Sequence, residues 1–285
     1  YQVLFRALSR EKGEMRNVAI LTDFGTNDSY NGIMEGVIKT ACPTAHITYI
    51  APDVRSWSVY SGAYLLYSAY RHFPRKTVFL VVVDPGVGTE RKPLVIKTRN
   101  YYFVGPDNGV LYPSASEDGI EEVYEIKNPK VFTIKTPSYT FHGRDIFSPA
   151  AALLACKVNP KVLGEPLKEI RKLELEDHTK KGNAVCLRVV HVDKFGNVAL
   201  SMRPKAPLPL GATIRAIVGG RKVDVKVART FGDVEKGEKL IYINSFGFIE
   251  LAVNQGNFST AMNVEVGDEV CLEGLSFPED SSLST

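Results

Sequence analysis

The chain has 285 residues, of which 44% are hydrophobic and 24% are charged, and its formal net charge is +3. This composition is typical of a globular protein with one large or two moderate domains, and the small charge argues against nucleic acid or a membrane surface as a partner. No apolar run reaches the roughly 18 residues of a membrane span. Residues 1–14 carry no apolar signal core, so we expect a loose extension there, with Met15 as an alternative start.

The first half of the chain alternates between patterns typical of strands and of helices. Ser29 is a suitable N-cap for a helix that runs to about Thr40, and a second helix is predicted over residues 59–72. Strands are predicted over residues 18–22, 47–50, 78–83, 94–97, 101–104 and 123–126. Because such alternation is typical of βαβ units, we predict a mainly parallel α/β sandwich domain over residues 15–168.

Two predicted strands of this sheet end at an acidic residue. Asp23 follows the first strand, and Asp84 follows the apolar run 78–83, which is typical of a strand buried on both faces. The carboxyl ends of parallel strands meet at one edge, where open α/β sheets bind ligands. Two carboxylates there could hold a metal ion or a sugar diol. The metal is disfavoured because no further ligand is adjacent, and the glycine-rich dinucleotide and P-loop fingerprints are absent.

The residues after Asp84 predict a tight loop. Pro85, Gly86 and Gly88 leave little side-chain bulk, so a ligand could approach the backbone, and Arg91 is near enough to fold back toward Asp84. The alternative is that Asp84 only caps a turn.

A second polar segment precedes a predicted helix with Ser148 as its N-cap and Pro149 at its first position. His142 lies in the loop before it, which makes His142 a candidate general base, with a structural role as the alternative. Arg144 and Asp145 are expected to form only a local salt bridge at the start of the helix.

The pattern of the chain changes near Leu175. Helical periods disappear, and short strands recur between turns such as Gly219-Gly220, which predicts an antiparallel β-domain, a barrel or a sandwich, over residues 175–275. Within it, Glu250 is an acid in an apolar strand, so it is expected either to face solvent or to lie buried against a cation.

The four cysteines are far apart and form no CxxC pair. We therefore predict reduced thiols in a cytoplasmic protein and no zinc site. They are Cys42, Cys156, Cys186 and Cys271.

Five motifs resemble, in the same order, those of the S-adenosyl-L-methionine (SAM) hydroxide adenosyltransferases. These are SAM hydrolases related to the SAM-dependent chlorinase and fluorinase. The resemblance covers residues 17–272 and implies an α/β domain followed by a β-barrel, and a homotrimer with active sites between subunits. It also implies attack of water on C5′ of SAM, giving adenosine and L-methionine, with SAM as substrate and no separate cofactor. The motifs are Thr22-Asp-Phe-Gly, the segment from Asp84 to Arg91, Pro106-Asp-Asn-Gly, the segment from Thr140 to Pro149, and Phe195-Gly-Asn.

The resemblance assigns the catalytic set to Asp84, Arg91 and His142. Our hypothesis is that Asp84 and His142 orient and deprotonate a water held about 3–3.5 Å behind C5′, while Arg91 sets the charge balance; which group takes the proton stays open. The halogenases have a Tyr at the Asp84 position, and the fluorinase has a Ser in place of Gly143. This favours hydrolysis over the alternatives, which are halide transfer and a binding module without turnover.

The resemblance also implies substrate contacts in both domains. Asp23 matches a carboxylate that binds the ribose diol, Asp28 matches an acid near the methionine end, and Trp57 matches a pocket tryptophan, with ordinary packing as the alternative. In the β-domain, the matches are to methionine contacts at Asp193 and Ser245, to adenine contacts at Phe195 and Asn197, and to the stretch that closes over adenine at Glu250 and Val253.

Overall fold

The computed structural model describes residues 16–275, so the expectations for residues 1–14 and for Met15 lie outside the described residues. The chain divides between Glu174 and Leu175 into two compact units. Across residues 16–275, no helix has both the length and the hydrophobicity needed to cross a bilayer.

Within its described residues, 16–174, the first unit contains a seven-stranded sheet and four α-helices. Its strands are β1 (Asn17–Thr22), β2 (His46–Ala51), β3 (Val78–Val82), β4 (Pro93–Thr98), β5 (Tyr102–Pro106), β6 (Ile120–Ile126) and β7 (Gly164–Pro166). Its helices are α1 (Tyr30–Ala41), α2 (Val59–Ala69), α3 (Tyr112–Asp118) and α4 (Ser148–Ala155), with 3₁₀ turns at Tyr70–His72 and Pro160–Val162 and a π-helical turn at Gly143–Phe147.

The strand order is β2-β1-β3-β5-β4-β6-β7. Strands β2, β1, β3 and β5 pair in parallel, β4 and β7 run in the opposite direction, and β6 returns to the common direction. The prediction of a mainly parallel sheet is therefore confirmed. The antiparallel strands lie toward one side, away from β1 and β3.

Strand β3 is buried on both faces because helices cover the sheet on both sides. Val78 and Leu80 belong to the hydrophobic core that includes residues of α1 and α4. Phe79 points to the opposite face of the sheet, because successive side chains of a strand alternate between faces. Its ring stacks on Phe103 with the ring centroids 5.1 Å apart. On that second side, a side chain at Gly62 of α2 would meet Val83.

The start of α4 differs from the prediction. The chain is already helical from Gly143, so Ser148 lies inside a continuous helical segment and is not an N-cap. The Ser148 side chain is buried, and its hydroxyl has no hydrogen-bond partner among residues 16–275.

The prediction of reduced thiols is wrong, because the structure pairs all four cysteines. Cys42 and Cys156, which follow the last residues of α1 and α4, form one disulfide across 114 residues of sequence. Cys186 and Cys271 lie opposite each other on paired strands and form the second. Disulfides persist in oxidising compartments and in intracellular proteins of hyperthermophiles, so the cysteines no longer favour the cytoplasm.

The second unit is a closed barrel. Its strands are β8 (His178–Lys181), β9 (Ala184–Val192), β10 (Val198–Leu200), β11 (Thr213–Val218), β12 (Arg221–Val227), β13 (Lys239–Ile243), β14 (Ile249–Val253) and β15 (Glu269–Glu273), with α5 (Phe258–Met262) and a 3₁₀ turn at Phe231–Asp233. The order is β10-β14-β13-β12-β11-β15-β9, and pairing of β9 with β10 closes the ring, with β8 added beside β9. Only the β12–β13 pair among these described strands is parallel, so the antiparallel barrel is confirmed.

Candidate active site

The two strand-end acids share one cleft in the first unit. Thr22 of β1 lies opposite Val82 of β3 in a parallel register, so Asp23 and Asp84 leave the sheet at the same edge. Both line a cleft of about 480 Å³. The sequence argument about strand ends therefore placed the cleft correctly.

The loop after Asp84 folds back on itself and carries Arg91 to the carboxylate. The turn is held by Val87, whose N–H donates to the Asp84 carbonyl at 3.2 Å. Arg91 Nε donates to both oxygens of Asp84 at 3.0 Å, and Arg91 Nη2 also contacts Oδ2. The Asp84 and Arg91 side chains are only 5% and 9% exposed, so this ion pair is shielded from solvent. Asp84 therefore does more than cap a turn.

His142 completes the group. Its Nδ1 lies 2.8 Å from Arg91 Nη2. A guanidinium can only donate hydrogen bonds, so Nδ1 must accept, and the neutral ring then carries its proton on Nε2. Burial, and next the charge of Arg91, lower the pKa of His142 below its usual value, although Asp84 and a hydrogen bond with the Ser138 backbone act in the opposite direction. The ring is thus held neutral as an acceptor for Arg91.

Gly88 sets how closely the loop that carries Arg91 approaches the loop that carries His142. Its φ is +77°, and a Cβ at this position would lie 2.2 Å from the Tyr139 carbonyl oxygen. Any side chain would therefore be strained and would push the loop carrying Arg91 away from the loop carrying His142.

Trp57 and Asp23 line the same cleft and are hydrogen-bonded to each other. The backbone N–H of Trp57 donates to Asp23 Oδ2 at 2.8 Å. Burial is the main cause that raises the pKa of Asp23, and nearby Asp84 adds to it, while the backbone hydrogen bonds act against it. Trp57 has φ +62° and a 74% exposed side chain, so it is not an ordinary packing aromatic. A bulky residue in this backbone conformation is strained, and such strain clusters at ligand sites. Asp28 is exposed and lines the same cleft.

The sequence did not single out several residues of the cleft wall. Phe24, Tyr30 and Phe141 form an aromatic cluster with centroid separations of 5.1–5.7 Å. Phe24 follows Asp23 and Phe141 precedes His142, so their positions next to predicted site residues could have indicated them. No feature of the sequence indicated Tyr30. The other residues that were missed are Ser56, Val82, Val87 and Thr140.

In the second unit, three of the chosen residues form one turn between β9 and β10. Asp193 Oδ1 accepts from the N–H groups of Phe195 at 2.9 Å and Asn197 at 3.0 Å, and Oδ2 accepts from Asn197 Nδ2 at 2.9 Å. The Phe195 ring is 63% exposed. Asp193 therefore shapes the turn and presents Phe195 outward.

The other three predicted substrate contacts of this unit lie on β14 and in the turn before it. They are Ser245, Glu250 and Val253. Glu250 is buried, but the expectation of a cation partner is wrong: among the described residues its carboxylate accepts from the Tyr242 hydroxyl, and from Asn244 Nδ2 at 2.8 Å. Burial raises the pKa of Glu250. Ser245 is exposed, whereas the Val253 side chain packs in the barrel core.

Metal ligation has little support among the described residues. The group of side chains close enough to share an ion is Cys186, Glu269 and Cys271, and both of its sulfur atoms are in a disulfide.

Comparisons with known proteins give one consistent result. Residues 18–164 match the model of the SAM hydroxide adenosyltransferase N-terminal domain, and residues 187–271 match that of the C-terminal domain. An (R)-S-adenosyl-L-methionine hydrolase from Methanocaldococcus jannaschii is 35% identical over 264 residues, which cover 89% of this chain and 94% of the relative. A more distant relative is a fluorinase from an Actinoplanes species, at 25% identity over 88% of this chain and 95% of its own.

A solved structure shares the architecture. The crystal structure of an uncharacterised conserved protein from Thermotoga maritima superposes with a TM-score of 0.80 at 40% identity, and covers 90% of this chain and 99% of that protein.

Proposed function

The chain belongs to the SAM hydroxide adenosyltransferase family, and on that premise we propose that it is an enzyme that hydrolyses SAM to adenosine and L-methionine. The observation that carries the proposal is the contiguous Asp84–Arg91–His142 group in the cleft that also holds Asp23. A module that only bound SAM would need no such buried ion pair beside the ligand.

The reaction needs a positioned nucleophile more than it needs an acid. Water attacks C5′, the C5′–S bond breaks, and the electron pair stays on sulfur, which leaves as the neutral thioether of methionine. The new C5′–O bond makes the oxygen strongly acidic, so one proton must be removed. No proton has to be given to the leaving group, and SAM is the substrate with no separate cofactor.

Asp84 is the group that we assign as proton acceptor. In the tautomer required by Arg91, His142 offers no free lone pair, because Nδ1 accepts from Arg91 and Nε2 carries the ring proton. An ionised carboxylate has about four acceptor positions, and Arg91 occupies three of those of Asp84. The fourth, on Oδ1, remains for the water. His142 then acts through Arg91, which it helps to hold in place.

The substrate-binding residues are assigned by position and by the family resemblance. Asp23 binds the ribose diol, with Trp57 at the rim of the same cleft and Asp28 toward the methionine end. The turn with Asp193, Phe195 and Asn197 and the turn with Ser245 supply contacts to adenine and methionine. For Glu250 and Val253, whose side chains are already engaged, we assign only indirect or backbone contacts.

The quaternary structure and location follow the same proposal. The family resemblance implies a homotrimer in which one subunit's first unit meets a neighbour's barrel at the active site. A solution mass of a single chain would contradict it. A cytoplasmic location stays a prediction, and the disulfides remove the support that reduced cysteines gave it.

SAM has two epimers, which differ in configuration at the sulfonium sulfur. In the name of the M. jannaschii relative, the L prefix fixes the α-carbon, so the R descriptor refers to the pyramidal sulfonium. We extend this to the present chain and expect faster hydrolysis of the R than of the S epimer at sulfur. Equal rates on the two separated epimers would refute that extension.

Isotopic labelling tests the reaction itself. The protein is incubated with SAM in ¹⁸O-water, with and without chloride, and the nucleoside is analysed by mass spectrometry. Label in the 5′-oxygen of adenosine is expected. Chloride-dependent 5′-chloro-5′-deoxyadenosine would instead establish halide transfer, and bound but unchanged SAM would establish a binding module.

A further inference from the structure

Asp145 is a buried charge whose role goes beyond the local salt bridge expected from the sequence. The bridge is present, with Arg144 Nε 2.7 Å from Asp145 Oδ1. The Asp145 side chain, however, is fully buried and has two further donors, Thr133 Oγ1 at 3.0 Å and the Ser138 N–H at 2.8 Å. Burying a carboxylate is costly unless its oxygens are hydrogen-bonded. The number of partners explains how Asp145 remains ionised, and they hold its pKa at about 2.

Two of these partners, Thr133 and Ser138, belong to the long connection between β6 and the π-helical turn. Residues 127–141 have no helix or strand, and connections of this length are uncommon unless they are functional. Asp145 ties this connection at two points, since Thr133 also donates its N–H to the Asp145 carbonyl at 3.2 Å. Both ends of the segment from Thr133 to Ser138 are thereby hydrogen-bonded to the Asp145 carboxylate.

The same network reaches both sides of His142. The Ser138 hydroxyl accepts from the Phe141 N–H at 3.0 Å, and the Phe141 carbonyl accepts from the Asp145 N–H at 3.2 Å. The Ser138 backbone also lies near enough to the His142 ring to raise its pKa, against the larger lowering by burial and by Arg91. Phe141 is therefore fixed at its N–H and its carbonyl, directly before the imidazole that accepts from Arg91.

We propose that Asp145 is a positioning residue, which holds Ser138 and Phe141 so that His142 Nδ1 meets Arg91. The proposal deepens the hydrolase assignment and rests on it for its effect on turnover. Asp145 itself does not line the cleft, and its action on the reaction passes through His142 and Arg91.

Asp145→Asn is the test, because it keeps the shape of the side chain and removes the charge. One acceptor oxygen becomes an NH₂ group, which cannot accept from the Ser138 N–H or from Arg144. A displacement of about 1 Å in an active site can cost about 100-fold in rate. We therefore expect kcat for SAM hydrolysis to fall about 10- to 100-fold.

Asp118→Asn is the matched control. Asp118 is also buried and also anchors a loop, by accepting from the Asn100 N–H at 2.8 Å and from Asn100 Nδ2 at 2.7 Å. The Asn100 carbonyl accepts a hydrogen bond from the N–H of Lys76, which precedes β3. This contact therefore lies at the amino end of β3, whereas Asp84 follows its carboxyl end. Asp118→Asn is expected to lower thermal stability but to leave kcat within about twofold of the wild type.

The ring nitrogens of His142 provide a readout that does not depend on turnover. Long-range ¹H–¹⁵N NMR, assigned with His142→Asn, is expected to show the Nε2–H tautomer in the wild type and in Asp118→Asn, and a changed tautomer mixture in Asp145→Asn. If the ring signals change but the wild type does not hydrolyse SAM, the positioning role stands and the hydrolase assignment falls.

Two outcomes would overturn the role of Asp145. One is a folded Asp145→Asn protein with wild-type ring signals and wild-type kcat. If Asp145→Asn does not fold, Ser138→Ala decides, since it removes only the hydroxyl link to Phe141. A several-fold loss of kcat with altered His142 signals is then expected, and unchanged signals would overturn the proposal.

Discussion

Arg91→Lys separates the charge of Arg91 from its geometry. The guanidinium fork spans two neighbours, with Nε on both oxygens of Asp84 at 3.0 Å and Nη2 on His142 Nδ1 at 2.8 Å. A lysine keeps the positive charge but presents it as a single ammonium on a different stem, so it cannot reproduce the planar fork. We expect it to keep the contact with Asp84 and to lose the one with His142.

The structure sets the size of the expected effect. A hydrogen bond that involves a charged group contributes about 1.5–3 kcal/mol. If the lost Arg91–His142 bond weakens transition-state stabilisation by that amount, kcat falls about 10- to 150-fold, since about 1.4 kcal/mol corresponds to tenfold. Arg91→Met should fall further, because removing one partner of a buried ion pair costs about 3–5 kcal/mol.

The assay measures adenosine formation under SAM saturation, together with urea unfolding of each variant. Unfolding separates a loss of activity from a loss of folded protein. An Arg91→Lys enzyme that is folded and within about twofold of wild-type kcat would refute the argument that the fork, and not the charge alone, organises the site.

Three further changes test neighbouring parts of the molecule. His142→Asn should retain more kcat than His142→Phe, because an amide oxygen can take the Arg91 bond; equal losses would favour His142 as the base. Since the pKa of His142 is lowered, kcat/KM of the wild type should fall only as pH drops below about 6.5, and this acid limb should be absent in His142→Asn. Asp23→Asn should weaken adenosine binding measured by calorimetry by about tenfold or more, the equivalent of one hydrogen bond to a charged group; unchanged affinity would remove Asp23 from the ribose site. Dithiothreitol should lower the free energy of unfolding by about 2–4 kcal/mol for the Cys42–Cys156 crosslink; unchanged unfolding with four titratable thiols would contradict the disulfides.

The sequence alone determined the parts of this protein that depend on local pattern. Apolar runs ending at Asp23 and Asp84 indicated two buried strands, and parallel strands bring their carboxyl ends to one edge. The return of Arg91 to Asp84 spans seven residues and follows from a glycine-rich loop. The change near Leu175 from helical periods to short recurring strands likewise predicted a separate β-domain. Each conclusion needed only side-chain periodicity and short-range chain geometry.

The tertiary structure decided what depends on residues distant in sequence. His142 meets Arg91 across 51 residues, and only that contact fixes which ring nitrogen carries the proton. The cysteines looked unrelated because 114 residues separate Cys42 from Cys156, yet the ends of two helices bring them together. The sequence also did not predict that Glu250 would pair with Tyr242 and Asn244, or that Thr133 and Ser138 would join Arg144 around Asp145. A periodic pattern reports which face of an element is buried, but only the packing of elements determines which side chains meet there.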